Sequence, residues 1–512
     1  MKKYIIAYDF GTGGIKASLY NTNGSSLASS FEPYDTLYPH VGRHEQRPAD
    51  WWASICVSTK RLLEISKADK NEIEALAISG HSLGVVPIGK NGELLRDATP
   101  IWSDSRAQKE SDEFFAVHNK DDWYMLTGNG FPSHLYSAFK LMWYRKNERE
   151  MFDNISMVLG TKDYINYLLT GKMFTDPSYA SGVGFYDLKK GVYDAAYMKE
   201  MELPAEIFPE IVPSTHIIGT ITKEASAEIG LPTDVKVACG GVDNSCMALG
   251  GRCIANGRAY ISLGSSAWNV VSGSEPILDT KLSPFVFAHC IPGMFVSATS
   301  IFAAGSSFQW VRNNICRDLM QNSGDKDPYV LMNELAALSP IGSHKLLFNP
   351  SLAGGTGADC TPNIRGAYVG LDLKHTPSDL IRAAMEGIAL ALRVALDYMK
   401  TMTTLSGEIL FVGGGANSPL WLQMFADIYG MDVIKTNVGQ EAGSLGAAAI
   451  AAVGCGMWKD FSPIDKIHKV TSVSHVNPTA QAEYNKILEI YKEAMLCIGN
   501  ISDKLHALDI AE

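Results

Sequence analysis

The sequence is short of several features that would mark a protein class. Its nine cysteines are odd in number and scattered (Cys56, Cys239, Cys246, Cys253, Cys290, Cys316, Cys360, Cys455 and Cys497), and none is spaced C-x-x-C from another. Neither a zinc ribbon, nor a redox pair, nor a disulfide framework is therefore expected. Positive charge is also scarce. Lys plus Arg number 44 against 55 Asp plus Glu, a formal net charge of −11. That field repels a phosphate backbone, and no basic cluster offsets it, so nucleic acid is not an expected partner. Long apolar runs are missing as well. Asp9 interrupts the run Tyr4–Tyr8 too early for a signal peptide, and the most apolar later stretch, 443–458, is mostly Ala and Gly and falls short of a membrane span. No membrane partner is expected; the reading is a reduced, cytoplasmic protein.

What remains is an ordinary globular composition, 46% hydrophobic and 19% charged, with mean hydropathy −0.01. A chain of 512 residues has room for roughly two to four domains. Glycine is plentiful and falls in short runs behind apolar segments. Tyr4–Tyr8 reads as a strand, followed by a Gly-rich turn, a second strand over 15–20 and an Asn23-Gly24 hairpin turn. Asp50-Trp51-Trp52 reads as a helix start capped by Asp50. Strands are expected over 75–79 and 85–88, helices over 106–170, and irregular structure over 176–213. The strand–Gly–strand theme returns at 259–271, and strand 409–412 runs through Gly413-Gly414-Gly415 into a helix over 419–428. The chain thus reads as two halves, 1–250 and 251–512, in an α/β architecture, closed by a helical pattern over the last 35 or so residues.

Four segments carry chemistry. In Asp9-Phe10-Gly11-Thr12-Gly13-Gly14-Ile15-Lys16, small residues let backbone N–H groups converge on an anion, Thr12 adds a hydroxyl and Lys16 a charge. Asp9 is placed to hold hydrated Mg²⁺. The plain alternative is a hairpin turn whose glycines supply positive φ. Gly80-His81-Ser82-Leu83-Gly84 spells the G-x-S-x-G elbow of serine hydrolases, with Ser82 as nucleophile. That motif needs a helix next, and a strand pattern follows instead. Asp243-Asn244, behind Gly240-Gly241-Val242, offers either a general base with open approach or a helix cap. Trp102-Ser103-Asp104-Ser105-Arg106 offers an aromatic face and polar groups to a sugar, or simply a helix start with a surface Asp–Arg pair.

Together these segments resemble the FGGY family of carbohydrate kinases, which phosphorylate sugars and polyols with ATP. Gly366-Ala367-Tyr368-Val369-Gly370-Leu371, Asp379-Leu380 and Ala383-Ala384-Met385-Glu386 fit the family's C-terminal signature, and Lys140-Leu141-Met142-Trp143 approaches the N-terminal one. Gln46-Arg47-Pro48-Ala49-Asp50-Trp51-Trp52 is family-like too. The resemblance implies two actin-like (ribonuclease H-like) domains with ATP in the cleft between them, sugar binding in the first and nucleotide binding in the second. It implies a first phosphate loop of Thr12, Gly13, Gly14 and Lys16, and a second of Gly264, Ser265 and Ser266. Gly305 and Gln309 would line the nucleotide side, Gly413, Gly414, Gly415 and Ser418 the adenosine, and Asp9 would organise Mg²⁺. Asp243 would take the proton from the sugar hydroxyl, with His81, Ser82, Trp102, Asp104 and Asn244 around the sugar. Kinases of D-xylulose in this family carry Met-His, and those of glycerol Arg-Glu, where this chain has Ser82-Leu83. The expectation is a pentulose kinase nearest the xylulose type, with another polyol or a sugar acid (glycerol or gluconate type) as the alternative, and it leaves a homodimer open.

Overall fold

Ile5, Ile6, Ala7 and Tyr8 are buried in unbroken succession, as a strand covered on both faces requires. The structure, a computed structural model, describes residues 2–318, 324 and 326–508. In it these residues form the central strand β1 (Tyr4–Gly11). Gly14–Asn21 (β2) pairs antiparallel with β1, and Ser26–Pro33 (β3) with β2. Most of β3 is exposed, as befits an edge. On its other side β1 lies parallel to Ile73–Gly80 (β4). Ile217–Thr220 (β5) pairs antiparallel with Lys236–Ala238 (β6), and β6 lies parallel to β4. A two-residue strand, Gly241–Val242, extends the sheet beyond β6 on the same neighbour, Gly241 opposite Ser79.

Helix α1 (Pro48–Ser66) packs on β2 and β3. Its N-cap is Arg47 and Pro48 opens the first turn. Asp50 is therefore inside the first turn, not at the cap: proline at the first helical position needs no hydrogen bond and presets φ, and the cap lies three residues earlier, at Arg47. Thr161–Thr170 (α2) follows within the helical stretch. The stretch 176–213 is not irregular throughout; it contains short helices and two-residue strands such as Tyr186–Asp187 paired with Val192–Tyr193. Asp243–Gly250 forms α3.

The chain packs as two units that trade segments across the middle of the sequence. The first holds everything up to Ala255, with Ser272–Ser297 and Glu441–His468; the second holds Asn256–Val271, Ala298–Gln440 and the chain from Lys469 onward. In the second, Ala259–Leu263 (β7) pairs antiparallel with Ala267–Gly273 (β8) and parallel with Glu408–Val412 (β9). Asp432–Thr436 (β10) lies parallel to β9 and antiparallel to Val470–Ser474 (β11). Hairpin, parallel neighbour, second parallel neighbour and antiparallel edge come in the same order as in the first unit. That is the two-half repeat expected from the glycine turns.

Helix α4 (Gly305–Asn314) leads away from the end of β7. Pro377–Lys400 (α5) starts from a capping box in which Thr376 and Asp379 exchange bonds. Pro419–Tyr429 (α6) follows β9. The apolar Ala/Gly stretch becomes α7 (Ala442–Gly454), a buried helix of the first unit lying on α3, β1 and β4. Its small residues are required by the approach: a Cβ on Gly446 would stand 1.9 Å from the Cys246 carbonyl oxygen. Pro478–His506 (α8) packs on α5 and α6 in the second unit. Among the described residues no helix is long and apolar enough to cross a membrane.

Candidate active site

Three parallel chain segments of the first unit finish side by side, and ligands of such sheets gather at the carboxyl ends of their strands. Asp9 near the end of β1 is level with Ser79 of β4, and Ser79 is level with Gly241. Ser79 Oγ donates to Asp9 Oδ1 at 3.0 Å. Two residues after Gly241 comes Asp243, the first residue of α3. Asp243 Oδ1 accepts the Asn244 backbone N–H at 2.8 Å and the Asn244 side-chain amide at 3.0 Å. The helix has no side-chain cap of its own, so Asp243 does not cap it, and Oδ2 keeps its acceptor capacity. Burial is the main force on its pKa, pushed up to about 7, with the Asp9 charge adding to it. Burial also raises Asp9, against the Ser79 bond and the Lys16 charge. Two half-buried carboxylates thus stand near each other with too little compensation.

Gly443, at the start of α7, lies against Asp9: a Cβ there would lie 3.0 Å from both Asp9 oxygens. The residue was not among the expected site residues. Its one sequence signal was the pairing Gly443 and Gly446 at helical spacing inside an alanine run, which marks a close approach.

The Gly11–Gly14 turn beside Asp9 is braced from three sides. Tyr34 donates its hydroxyl to the Gly11 carbonyl, Gln46 Nε2 donates to the Thr12 carbonyl at 2.8 Å, and Trp102 Nε1 donates to Thr12 Oγ1 at 2.9 Å. Gly14 adopts φ +155, and a Cβ there would meet the Phe31 ring at 2.5 Å. Thr12 and Gly13 remain exposed. Lys16 points its ammonium at Glu441, 3.2 Å away.

The remaining sugar-side residues divide. Trp102 keeps 38% of its surface. Asp104 does not: it is fully buried, bound to Arg106 at 2.7 Å and accepting the His44 N–H at 2.7 Å. The Asp–Arg pair is an interior one, and Arg106 also reaches Glu45 at 2.5 Å. His81 is buried against the edges of Phe10 and Trp51, both ring nitrogens without a hydrogen-bond partner among the described residues, and burial lowers its pKa to about 4. Leu83 takes φ +60 and turns its side chain into the core. Gly80-x-Ser82-x-Gly84 runs into the strand Val86–Ile88, which pairs with Met157–Leu159. No helix follows, and the hydrolase elbow is absent.

In the second unit, seven expected nucleotide residues line one cavity of about 400 Å³: Gly264, Ser265, Gly305, Gln309, Gly414, Gly415 and Ser418. Phe308, Tyr329 and Trp421 add apolar wall. Gly305 opens α4 directly on the Gly264-Ser265 turn, its N–H donating to the Gly264 carbonyl at 3.0 Å, and a Cβ on Gly305 would stand 2.2 Å from that oxygen. The Ser306 N–H donates to the Ser265 carbonyl. Gly413 needs its φ of +91, since a Cβ would meet the Leu263 carbonyl at 2.5 Å. Ser418 caps α6, accepting the Trp421 N–H at 3.1 Å, and its hydroxyl donates to Asn333. Ser266 and Gly413 flank the cavity without lining it. The Gly305 and Ser306 N–H groups are thus already taken, and what faces an anion here is the positive end of the α4 dipole beside the exposed Gly264-Ser265 turn.

Among the described residues no three His, Cys, Asp or Glu side chains are grouped as for a metal ion. Mg²⁺ needs no such cage. It is commonly held by one or two carboxylates with phosphate oxygens and water, a donor chemistry that the Asp9 carboxylate matches.

Comparison with known proteins agrees with this arrangement. Residues 4–250 match the model of the N-terminal domain of the FGGY family of carbohydrate kinases, and residues 259–455 that of the C-terminal domain. A xylulose kinase of Lactococcus lactis subsp. lactis is 30% identical over 507 residues, 98% of either chain. Among solved structures, a gluconate kinase of Lactobacillus acidophilus superposes with TM-score 0.90 at 26% identity, covering 99% of this chain and 100% of that one. A xylulose kinase of the same organism gives 0.89 at 26%, covering 98% and 99%.

Proposed function

Because the chain belongs to the FGGY family of carbohydrate kinases, and so transfers phosphate from ATP to a sugar, we propose that Asp243 is the general base and that the acceptor is a pentulose of the xylulose type. The observation that carries the first part is the placement of Asp243 at the carboxyl edge of the first unit's sheet, with one oxygen held by Asn244 and the other free to take a proton. A base is most effective when its pKa lies near the working pH, and Asp243 is pushed up to about 7.

In the proposed reaction Asp243 takes the proton of a sugar hydroxyl while that oxygen attacks the γ-phosphorus. The bond from that phosphorus to the bridging oxygen breaks, and ADP carries the electrons away. Such transfers depend chiefly on positioning and charge neutralisation. The Gly264-Ser265 turn and the start of α4 hold the phosphates of the nucleotide, with its base against the Gly414–Ser418 side of the cavity. The braced Gly11–Gly14 turn offers N–H groups and the Thr12 hydroxyl to the transferring end. Asp9 would hold Mg²⁺, which would supply positive charge against the phosphates. Trp102 gives the sugar an aromatic face, and Ser82 and Asn244 give it hydroxyl and amide partners.

The xylulose kinases among the relatives support a pentulose. The gluconate kinase match, together with a Leu83 that turns away into the core, supports a sugar acid as the second reading. An ATP-consumption assay over D-xylulose, D-ribulose, L-xylulose, glycerol and D-gluconate tests both. The pentulose reading expects the highest kcat/KM on a ketopentose. The highest value on gluconate replaces it with the second reading, and no stimulation by any of them removes both.

A further inference from the structure

The chain entering Asp243 is gripped at three of the four residues 239–242 by one buried network that the reading above does not use. The Cys239 carbonyl accepts Lys162 Nζ at 3.2 Å and Asn166 Nδ2 at 2.8 Å. The Gly240 N–H donates to the Ser214 carbonyl at 3.0 Å. The Val242 N–H, one residue before Asp243, donates to Ser178 Oγ at 2.9 Å. These grips meet at Asp176. Its Oδ2 accepts the hydroxyls of Ser178 and Ser214, and its Oδ1 lies 3.0 Å from Lys162 Nζ. Asp176, Ser178 and Lys162 have no exposed surface and Ser214 almost none.

The chemistry of the network is directional. A serine hydroxyl has one proton and two lone pairs. Ser178 gives its proton to Asp176, so its oxygen is obliged to present a lone pair, and Val242 N–H is what fills it. Asp176 in turn is fixed by Lys162, which Asp163 also pairs at 2.5 Å. The space beside Gly241 is filled as well: a Cβ there would stand 2.5 Å from Cys290 Sγ, 3.0 Å from Cys246 Sγ and 3.2 Å from Ser178 Oγ. The peptide before Asp243 is therefore both hydrogen-bonded and closely packed.

We propose that Asp176 and Ser178 are positioning residues for Asp243, setting the direction of its carboxylate through the Val242 N–H. This rests on Asp243 being the base. A displacement of about 1 Å in a reacting group can cost on the order of 10²-fold in rate. Loss of the network therefore lowers kcat and leaves both substrates bound.

The experiment uses the full chain and whichever sugar the wild type phosphorylates. Ser178→Ala is expected to lower kcat roughly 10- to 100-fold, to leave KM for sugar and ATP within about threefold, and to move the acid limb of the kcat/KM pH profile. Ser178→Thr, which keeps the hydroxyl, restores most of the loss. Ser178→Ala and Asp176→Asn combined lower kcat by less than the product of the single effects, because they break one chain of bonds. Wild-type kcat and pH profile in Ser178→Ala, whatever its melting temperature, overturn the proposal. Should that variant not fold, Asp176→Asn decides alone: unchanged kcat overturns it, and lowered kcat at unchanged KM supports it. Asp243→Asn, measured in parallel, keeps the two questions apart. If it is fully active, the assignment of the base has failed; if it is inactive while Ser178→Ala is normal, only the positioning role has.

Discussion

Trp102 donates its indole N–H to the hydroxyl of Thr12, 2.9 Å away and 90 residues earlier in the chain. An exposed aromatic face thus leans on the tip of the Gly11–Gly14 turn, which Gln46 and Tyr34 hold from behind. At the proposed site, a sugar stacked on Trp102 would in this way be referred to the Gly11–Gly14 turn.

Trp102→Phe keeps a ring and removes that bond. A hydrogen bond of this kind is worth about 0.5–1.5 kcal/mol, so KM for the sugar should rise by roughly 2- to 12-fold. Melting temperature should hold, because Trp102 is partly exposed. Steady-state kinetics with the sugar varied at saturating ATP checks it; an unchanged KM removes Trp102 from the sugar site.

Gly305→Ala tests the nucleotide assignment within the second unit. The added Cβ would stand 2.2 Å from the Gly264 carbonyl, so α4 and the Gly264-Ser265 turn must part. Overpacking of this kind costs about 1–3 kcal/mol, and its effect is expected on ADP affinity, weakened at least tenfold, roughly 1.4 kcal/mol. Calorimetric titration of ADP reads the change, and sugar binding serves as the control. Normal ADP affinity in a folded Gly305→Ala would place the nucleotide elsewhere.

Gly446→Ala and Gly439→Ala form a stability pair. The first would force a methyl to within 1.9 Å of the Cys246 carbonyl, whereas a methyl on Gly439 would meet nothing within 4 Å beyond its own chain neighbours. Denaturant unfolding should show a loss of at least about 1–3 kcal/mol for the first and within about 0.5 kcal/mol of wild type for the second. Equal stabilities would mean that α7 does not pack closely on α3.

Much of this architecture was legible in the sequence because glycine and apolar runs report backbone demands directly. Strands β1, β2, β4, β7 and β9 lie where their apolar runs and turn residues put them, and Asn23-Gly24 turns the chain between β2 and β3. The family motifs were legible for the same reason, since Gly305 and Gly413 sit where a side chain has no room. Direction and distance were not legible. Trp102, Asp104 and Arg106 read as one polar cluster open to a ligand, yet Trp102 faces outward and Asp104 and Arg106 pair inside. A five-residue window does not say which side of a loop becomes interior. Gly443 and the Asp176–Ser178 network escaped because their partners lie hundreds or tens of residues away, where only the fold brings them together.

Asp243 is the account's central residue, and the pH dependence of kcat/KM in wild type and Asp243→Asn tests it most directly. Burial, with the Asp9 charge behind it, pushes the Asp243 pKa up to about 7, and a base works only when unprotonated. Wild-type kcat/KM should therefore climb with pH through about 7 and level off above it. Asp243→Asn should lose roughly 10²- to 10⁴-fold in kcat, and that limb with it. In the wild type the same group is protonated more readily folded than unfolded, so its ionisation opposes folding as pH rises toward 7; Asp243→Asn should accordingly melt higher than wild type at pH 8, with the gap closing toward pH 4. A folded Asp243→Asn that keeps near-normal kcat and the same acid limb would contradict the account, because the proton would then be taken by another group.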